Sequence, residues 1–273
     1  MNCEIGMKEE REYIREIRDL LLMITKFDIS TFKEQFLKRR LSYAMNIARI
    51  EDLGEYYNYL IENPSAVYKL IDILAINVSY FFRNENVFKF LKDYLINECW
   101  EMKDAIKIWS MGCASGEEPY TIGMILNEIG ILNDRIKVKI YASDLDNEAL
   151  EKAKKSVYNK EQIMKVPKNY LKYFIPLLDS GYMIEDGIRR CVIFRKENLL
   201  SKKKFYGFFN MILCRNLLIF LDKRWQRRIF QLIDEAIAIG GILVLGISEN
   251  LHKDYEEKWR VISGKYRIYM KIN

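Results

Sequence analysis

The chain predicts an α/β fold, a mainly parallel sheet covered by helices on both faces, with a small all-helical domain in front of it. Three observations predict this. From Ile106 onward, short β-prone apolar runs alternate with helix-like stretches. The run Ile106-Lys107-Ile108-Trp109 passes without a break through a glycine-containing turn into the acid-started helix Glu117-Glu118-Pro119. The first 76 residues, by contrast, carry only helical periodicity.

In that first part, Tyr13, Ile14, Ile17, Leu20, Leu21 and Ile24 share one helix face. Phe32, Phe36, Leu37 and Leu41 share a second, and Leu53, Tyr56, Tyr57 and Leu60 a third; all three read as core stripes. Thr31 with Glu34 fits a capping box for the second helix, and Pro64-Ser65 opens a helix that runs to about Ile76. Residues 1–76 are therefore expected to form the helical domain and 77–273 the α/β domain. In the latter, the alternating segment 137–143 predicts a strand ending at Asp144, followed by a helix over 147–153. A stretch at about 156–192, rich in tyrosine and charge, interrupts the alternation and reads as an inserted subdomain of short strands and loops. Segment 208–214 predicts a central strand ending in Arg215-Asn216. A helix over 223–238, a Gly240-Gly241 turn, a strand over 242–246 and a terminal pair near 259–262 and 266–271 complete the domain.

Composition excludes several classes. The chain has 273 residues, half of them hydrophobic, enough for a sizeable core and two domains. No run approaches the roughly 20 apolar residues that span a bilayer, and the acidic opening residues lack a signal-peptide core, so a cytoplasmic protein without membrane insertion is expected. Five scattered cysteines without metal-ligand spacing predict neither disulfides nor a metal site. The single histidine, His252, lies outside any motif and is expected at the surface, which disfavours histidine-based hydrolysis and phosphotransfer. The net charge of +6 is concentrated between 152 and 204, with fourteen Lys or Arg against five acids. That excess shows no nucleic-acid recognition pattern and reads as a solvated face or a docking surface for an acidic protein. Lys33, Lys38, Arg39, Arg40 and Arg49 add local positive charge to a slightly acidic helical domain, a solvated face or a means of steering an acidic partner.

The glycine turn also occurs as an ordinary strand-to-helix connection; the acids around it point to a ligand. Gly112 and Gly116 let the backbone turn closely against a bound molecule. Two carboxylates at the helix start, Glu117 and Glu118, repel a pyrophosphate but suit an ammonium group or ribose hydroxyls. The turn thus favours S-adenosylmethionine over NAD or ATP, and a nicotinamide dehydrogenase is the less favoured alternative. Asp144, at the tip of the second strand, is placed to accept both ribose hydroxyls, or else caps the following helix.

Taken together, these residues resemble the CheR family of chemotaxis receptor methyltransferases. Asn77-Val78-Ser79-Tyr80-Phe81-Phe82-Arg83 resembles the family's Asn-x-Thr-x-Phe-Phe-Arg signature, and the segment from Trp109 to Tyr120 its Gly-Cys-(Ala/Ser)-Ser-Gly-Glu-Glu-Pro-Tyr run. Ala142-Ser143-Asp144-Leu145-Asp146, Glu197-Asn198-Leu199-Leu200, Cys214-Arg215-Asn216-Leu217-Leu218-Ile219 and Gly246-Ile247-Ser248-Glu249-Asn250 follow in family order. The resemblance covers nearly the whole chain. It implies a Rossmann-like class I S-adenosylmethionine methyltransferase domain, a helical domain that approaches the substrate, and an inserted β-subdomain that in some members docks a receptor C-terminal tail. It implies transfer of methyl groups to glutamates in the cytoplasmic domain of methyl-accepting chemotaxis receptors, with S-adenosylhomocysteine as product.

The cofactor contacts implied by the resemblance are Asn77, Ser79, Arg83, the Glu117-Glu118 pair, Asp144, Asn198, Leu199, Arg215 and Asn216. Asp144 is expected to hold the ribose, and Asn198-Leu199 to flank the adenine. Arg83 with Asn216 is expected near the methionine end or the incoming carboxylate, Arg83 orienting rather than transferring a proton. Which of the two glutamates faces the ligand stays open. Ser79 stands where the family usually has threonine and keeps the hydroxyl; Phe220 stands where the family often has tyrosine near the transferred methyl and loses it. The missing hydroxyl leaves a non-catalytic S-adenosylmethionine-binding adaptor as an alternative, beside a methyltransferase of the same fold acting on another acidic protein. A glutamate acceptor, already ionised at neutral pH, accords with the scarcity of histidine.

Overall fold

Helical periodicity in the first part becomes four helices, α1 (Asn2–Thr25), α2 (Glu34–Ala48), α3 (Leu53–Glu62) and α4 (Pro64–Leu74). The computed structural model describes residues 2–25, 29–74, 79–98, 100, 104–133, 135–178, 181–199 and 208–273. The chain divides into two compact units, residues 1–76 with 220–225, and residues 77–219 with 226–273.

In the first unit, Ile17 and Leu21 of α1, Phe36, Leu37 and Leu41 of α2, Tyr56 and Leu60 of α3, and Val67, Leu70 and Leu74 of α4 form the buried stripes. Asp52 caps α3, its side chain accepting from the Glu55 N–H at 2.9 Å. The capping box expected at Thr31 and Glu34 is not formed: α2 begins at Glu34 with Lys33 at the N-cap position and no side-chain cap. Thr31 is buried in a 3₁₀ turn (Ile29–Thr31), and its carbonyl accepts from the Asp222 N–H at 3.0 Å. Lys33 N–H donates to the Phe220 carbonyl at 3.0 Å, and Phe32 pairs with Leu221. Pairing with 220–222 holds the chain out of the helix as far as Lys33, so Lys33 rather than Thr31 takes the N-cap position. Of the basic cluster, Lys38 is bonded to Glu10 at 3.0 Å and Arg40 lies over the Phe36 ring, while Lys33, Arg39 and Arg49 are exposed.

The second unit runs α5 (Glu85–Asn97), β1 (Ala105–Met111), α6 (Glu117–Glu128), β2 (Lys137–Asp144), α7 (Asn147–Lys155), β3 (Val157–Tyr158), α8 (Lys160–Ile163), β4 (Phe174–Pro176) and β5 (Tyr182–Ile184). It continues with α9 (Asp186–Cys191), β6 (Val192–Lys196), β7 (Phe209–Cys214), α10 (Lys223–Ala236), β8 (Ile237–Leu245), β9 (Trp259–Ser263) and β10 (Ile268–Lys271). The main sheet has the order β6-β2-β1-β7-β8-β10-β9. β6, β2, β1, β7 and β8 are parallel; β10 runs antiparallel to β8 and to β9. β3, β5 and β4 form a separate antiparallel sheet.

Strand alternation sorts β1 by face. Ile106 and Ile108 join a core with Leu91 and Leu95 of α5, Ile122 and Ile125 of α6, Ile140 of β2 and Leu213 of β7. Trp109 points the other way, its ring 5.1 Å from Phe209 and its indole N–H donating to Ser143 Oγ at 2.8 Å. Since β1 pairs with β2 on one side and β7 on the other, the strand order reverses at β1, and the carboxyl ends of the three strands border the crevice where ligands enter such sheets.

Two local expectations are corrected. The helix expected over 223–238 ends at Ala236, and β8 starts at Ile237 rather than at 242. Gly240, at φ +76°, lets the strand bulge where its pairing with β7 shifts register, so the glycine pair sits inside the strand. His252 is partly buried rather than freely exposed: its side chain is 17% exposed, it lies 5.9 Å from the Phe230 ring, and its Nδ1 accepts from the Asp254 N–H at the start of a 3₁₀ turn. No described helix is long and apolar enough to cross a membrane.

Candidate cofactor site

The carboxyl ends of β1, β2 and β7 place the acids of the crevice. After β1 the chain turns through Gly112 (φ +70°), Ala114 (φ +46°) and Gly116 (φ +92°) into α6. A Cβ on Gly112 would meet nothing nearer than the Leu217 side chain at 3.7 Å, so one side of this turn is open to a ligand. Gly116 is different: a Cβ there would come within 2.9 Å of Ala153 Cβ and 3.1 Å of the Tyr158 hydroxyl, so glycine is required for packing. Tyr158 donates its hydroxyl to the Ser115 carbonyl at 2.7 Å and fixes the turn from the inserted sheet.

Asp144 closes β2. Its Oδ2 accepts from the Ala114 N–H at 2.8 Å and its Oδ1 from the Asp146 N–H at 3.0 Å. The capping role belongs instead to Asp146, whose side chain accepts from the Ala149 N–H at 3.0 Å at the start of α7. Each Asp144 oxygen has capacity left for one further donor, the number a ribose diol presents. Burial pushes the Asp144 carboxyl above its ordinary value of 3.8, against the pull of the Asp146, Ala114 and Leu145 N–H groups.

The two glutamates part company. Glu117 is 1% exposed, and its carboxylate accepts from Ser115 Oγ at 2.8 and 2.9 Å within the first turn of α6. The Glu118 side chain is 14% exposed; Ser110 Oγ donates to it at 2.8 Å, and Arg215 pairs with it at 3.1 Å. Arg215, only 2% exposed, also donates to the Arg83 carbonyl at 2.6 Å and to Asn84 Oδ1 at 3.2 Å, and lies over the Phe88 ring. One buried guanidinium thereby ties the end of β7 to the start of α6 and to the turn before α5. That turn holds Phe82 and Asn84 at positive φ, with the Phe82 N–H donating to Thr121 Oγ1 at 3.2 Å. The Arg83 guanidinium lies 5.7 Å from the Tyr80 ring.

The structure thus brings Glu118, Arg215 and the backbone carbonyl of Arg83 together, and a second group forms about Asp144. The Glu197 N–H donates to the Asp144 carbonyl at 2.8 Å, which sets exposed Asn198 and half-buried Leu199 just beyond the strand tip. Asn216, at φ +58°, follows Arg215, and Ser79 is half-buried before the Phe82–Asn84 turn. Asn77 and Leu200 lie outside the described residues. Phe220 groups with the helical unit, its ring 5.1 Å from Phe36. Ser110, Ser115, Tyr158 and Asn84 escaped the sequence reading because their partners are distant in the chain or lie in the backbone. The Cys113 and Cys214 thiols are buried and pushed well up by that burial, so neither is a nucleophile. Among the described residues, no group of His, Cys, Asp and Glu could hold a metal ion.

Residues 77–268 match the family described as CheR methyltransferase, SAM binding domain, and residues 12–75 match its all-alpha domain. The chain belongs to the CheR methyltransferase family. A chemotaxis protein methyltransferase of Borreliella burgdorferi is 31% identical over 235 residues, covering 82% of this chain and 83% of the relative. Chemotaxis protein methyltransferase 2 of Vibrio cholerae is 30% identical over 261 residues, 92% of this chain and 91% of the relative. The cofactor of this CheR methyltransferase is S-adenosylmethionine, and its donor set fits that molecule: a partly buried carboxylate on β2 with capacity for two hydroxyls, an exposed glycine at the end of β1, and an acid at the start of α6.

Proposed function

We propose that this methyltransferase transfers a methyl group from S-adenosylmethionine to glutamate side chains of chemotaxis receptors, forming methyl esters. The observation that carries the reading is the two-domain match to relatives named chemotaxis protein methyltransferase over most of both chains. The site chemistry agrees with it. When bound, S-adenosylmethionine supplies an activated methyl group and leaves as S-adenosylhomocysteine. A glutamate acceptor is already ionised at neutral pH, so the protein has no proton to remove, and alignment with partial removal of water is what it must provide.

In this reading, Asp144 accepts the ribose hydroxyls, and Asn198 and Leu199 border the adenine. Glu118 faces the methionine ammonium, because its side chain stays partly exposed, whereas Glu117 is buried and bonded to Ser115. Ser79 and Asn216 line the methionine end. Arg83 orients the incoming carboxylate, and the buried Arg215 holds Glu118 and the Arg83 backbone in place. The partner is the cytoplasmic domain of a methyl-accepting receptor. A receptor C-terminal tail would dock on the inserted sheet, where Val157, Met183 and Ile175 stand in register across the three strands, Val157 and Ile175 exposed.

Calorimetric titration with S-adenosylmethionine and S-adenosylhomocysteine, followed by incubation with receptor-containing membranes, tests the proposal. Binding with formation of a base-labile ester on the receptor is expected. Binding without ester would overturn the receptor reading and favour the adaptor or another acidic protein as substrate.

A further inference from the structure

The loop after β7 is held by one carboxylate from the far end of β8. Glu249 is buried, and its Oε2 accepts from the Asn216 N–H at 2.9 Å and the Gly246 N–H at 2.7 Å. Its Oε1 accepts from the Leu218 N–H at 2.7 Å and the Ile219 N–H at 3.2 Å. Four backbone donors thus converge on one side chain, three of them from the loop that follows Arg215. Burial pushes the Glu249 carboxyl above its usual range while those N–H groups pull it back. Asn216 is meanwhile in the left-handed region at φ +58°, a conformation asparagine adopts more readily than other residues with a side chain and one that the bond from its N–H to Glu249 holds in place. Gly246 completes the clamp: a Cβ there would lie 2.6 Å from Glu249 Oε2 and 2.8 Å from the Asn216 nitrogen.

We infer that Glu249 is a positioning residue for methyl transfer, fixing the left-handed Asn216 so that its side chain reaches the methionine end of the cofactor. The inference rests on the placement of Asn216 proposed above. Glu249 itself touches no reacting group and works through the backbone of the 216–219 loop. An uncharged or displaced side chain at 249 leaves buried N–H donors without acceptors, and the loop must shift to satisfy them. A displacement of about 1 Å at a reacting centre costs about a hundredfold in rate.

Glu249→Gln preserves size but turns one acceptor oxygen into an NH2 that confronts N–H donors. Glu249→Asp keeps the carboxylate but withdraws it by one methylene from the loop N–H groups, and decides the matter where E249Q does not fold. Two readouts are taken on protein shown to be folded by circular dichroism. In methyl transfer, kcat is expected to fall about tenfold or more while the S-adenosylhomocysteine dissociation constant changes by less than about threefold. In isotope-labelled protein, the Asn216 side-chain amide resonance is expected to shift on adding S-adenosylhomocysteine to the wild type, and to lose that shift in the variants. An unchanged kcat, a parallel loss of kcat and affinity, or an Asn216 resonance indifferent to the ligand in the wild type would each overturn the inference. The resonance readout needs no methyl acceptor. Wild type that binds S-adenosylhomocysteine but esterifies no receptor therefore sinks the receptor reading and leaves the Glu249 test standing.

Discussion

The Tyr158 hydroxyl donates to the Ser115 carbonyl across 2.7 Å, a bond between residues 43 apart in sequence. Tyr158 belongs to the inserted sheet and Ser115 to the glycine turn, so the insert and the cofactor loop form one packed body. The Phe81 ring, 4.7 Å from Tyr158 and 5.0 Å from Phe174, fills the space behind it. Burial pushes the Tyr158 phenol well above its ordinary value, so the hydroxyl stays protonated and donates at any assay pH.

Tyr158→Phe keeps the ring and removes only this bond. Stability is expected to fall by about 1 kcal/mol and S-adenosylmethionine affinity by roughly fivefold, as the freed Ser115 carbonyl loosens the turn. Calorimetry on the variant reads the affinity; an unchanged dissociation constant would mean that the turn is held by Gly116 packing alone.

The proposed ribose contact at Asp144 would make cofactor binding sensitive to acid. Only the ionised carboxylate accepts from both ribose hydroxyls, and burial lifts its pKa above 3.8. Affinity is therefore expected to be full at neutral pH and to fall as pH drops through the raised value. The fall begins above the range of an ordinary aspartate. Folding of the free protein responds in the opposite sense. A carboxyl whose folded pKa is raised contributes stability below its unfolded value and loses it as pH rises through the folded one. Titrations with S-adenosylhomocysteine across that range should slope for the wild type and lie flat for Asp144→Asn, whose affinity at neutral pH should be about tenfold lower or worse.

Gly116→Ala combines two costs, a side chain at φ +92° and a Cβ 2.9 Å from that of Ala153. A loss of about 1–3 kcal/mol is expected from the strained backbone alone. Urea unfolding measures it, and a midpoint equal to the wild type would show that α7 gives way freely.

Arg215→Met removes the buried cation and leaves Glu118 without its ion partner, with an expected cost of about 3–5 kcal/mol. Glu118→Gln in the same chain should recover part of that loss. A double-mutant cycle by chemical denaturation that finds the two substitutions additive would contradict the pairing.

Local periodicity made much of the architecture legible. Ile17 and Leu21, or Ile106 and Ile108, face the core because spacing along a helix or strand dictates which side chains share a face. The order of acids and glycines likewise revealed that a glycine turn into a helix follows β1 and that Asp144 ends β2. Thr31 shows where such reasoning stops. Its sequence suits a cap, but pairing of residues 31–33 with 220–222 holds that stretch and moves the helix start to Glu34. His252 was placed at the surface because a lone polar residue usually lies there; the rings of Phe230 and Tyr255 cover it in part.

The sequence alone determined the class of fold, the cofactor and the family, since these depend on short runs whose chemistry is local: strand, glycine turn, acid. Only the tertiary structure decided which glutamate is committed to Ser115 and which to Arg215, that Arg215 is a buried tie between three elements, and that Glu249 gathers the loop after β7. Those assignments rest on hydrogen bonds between groups far apart in the chain. Many of the groups are backbone N–H and C=O, identical at nearly every residue, so their pairing is set by how the sheet brings strand ends together and leaves no mark on the sequence.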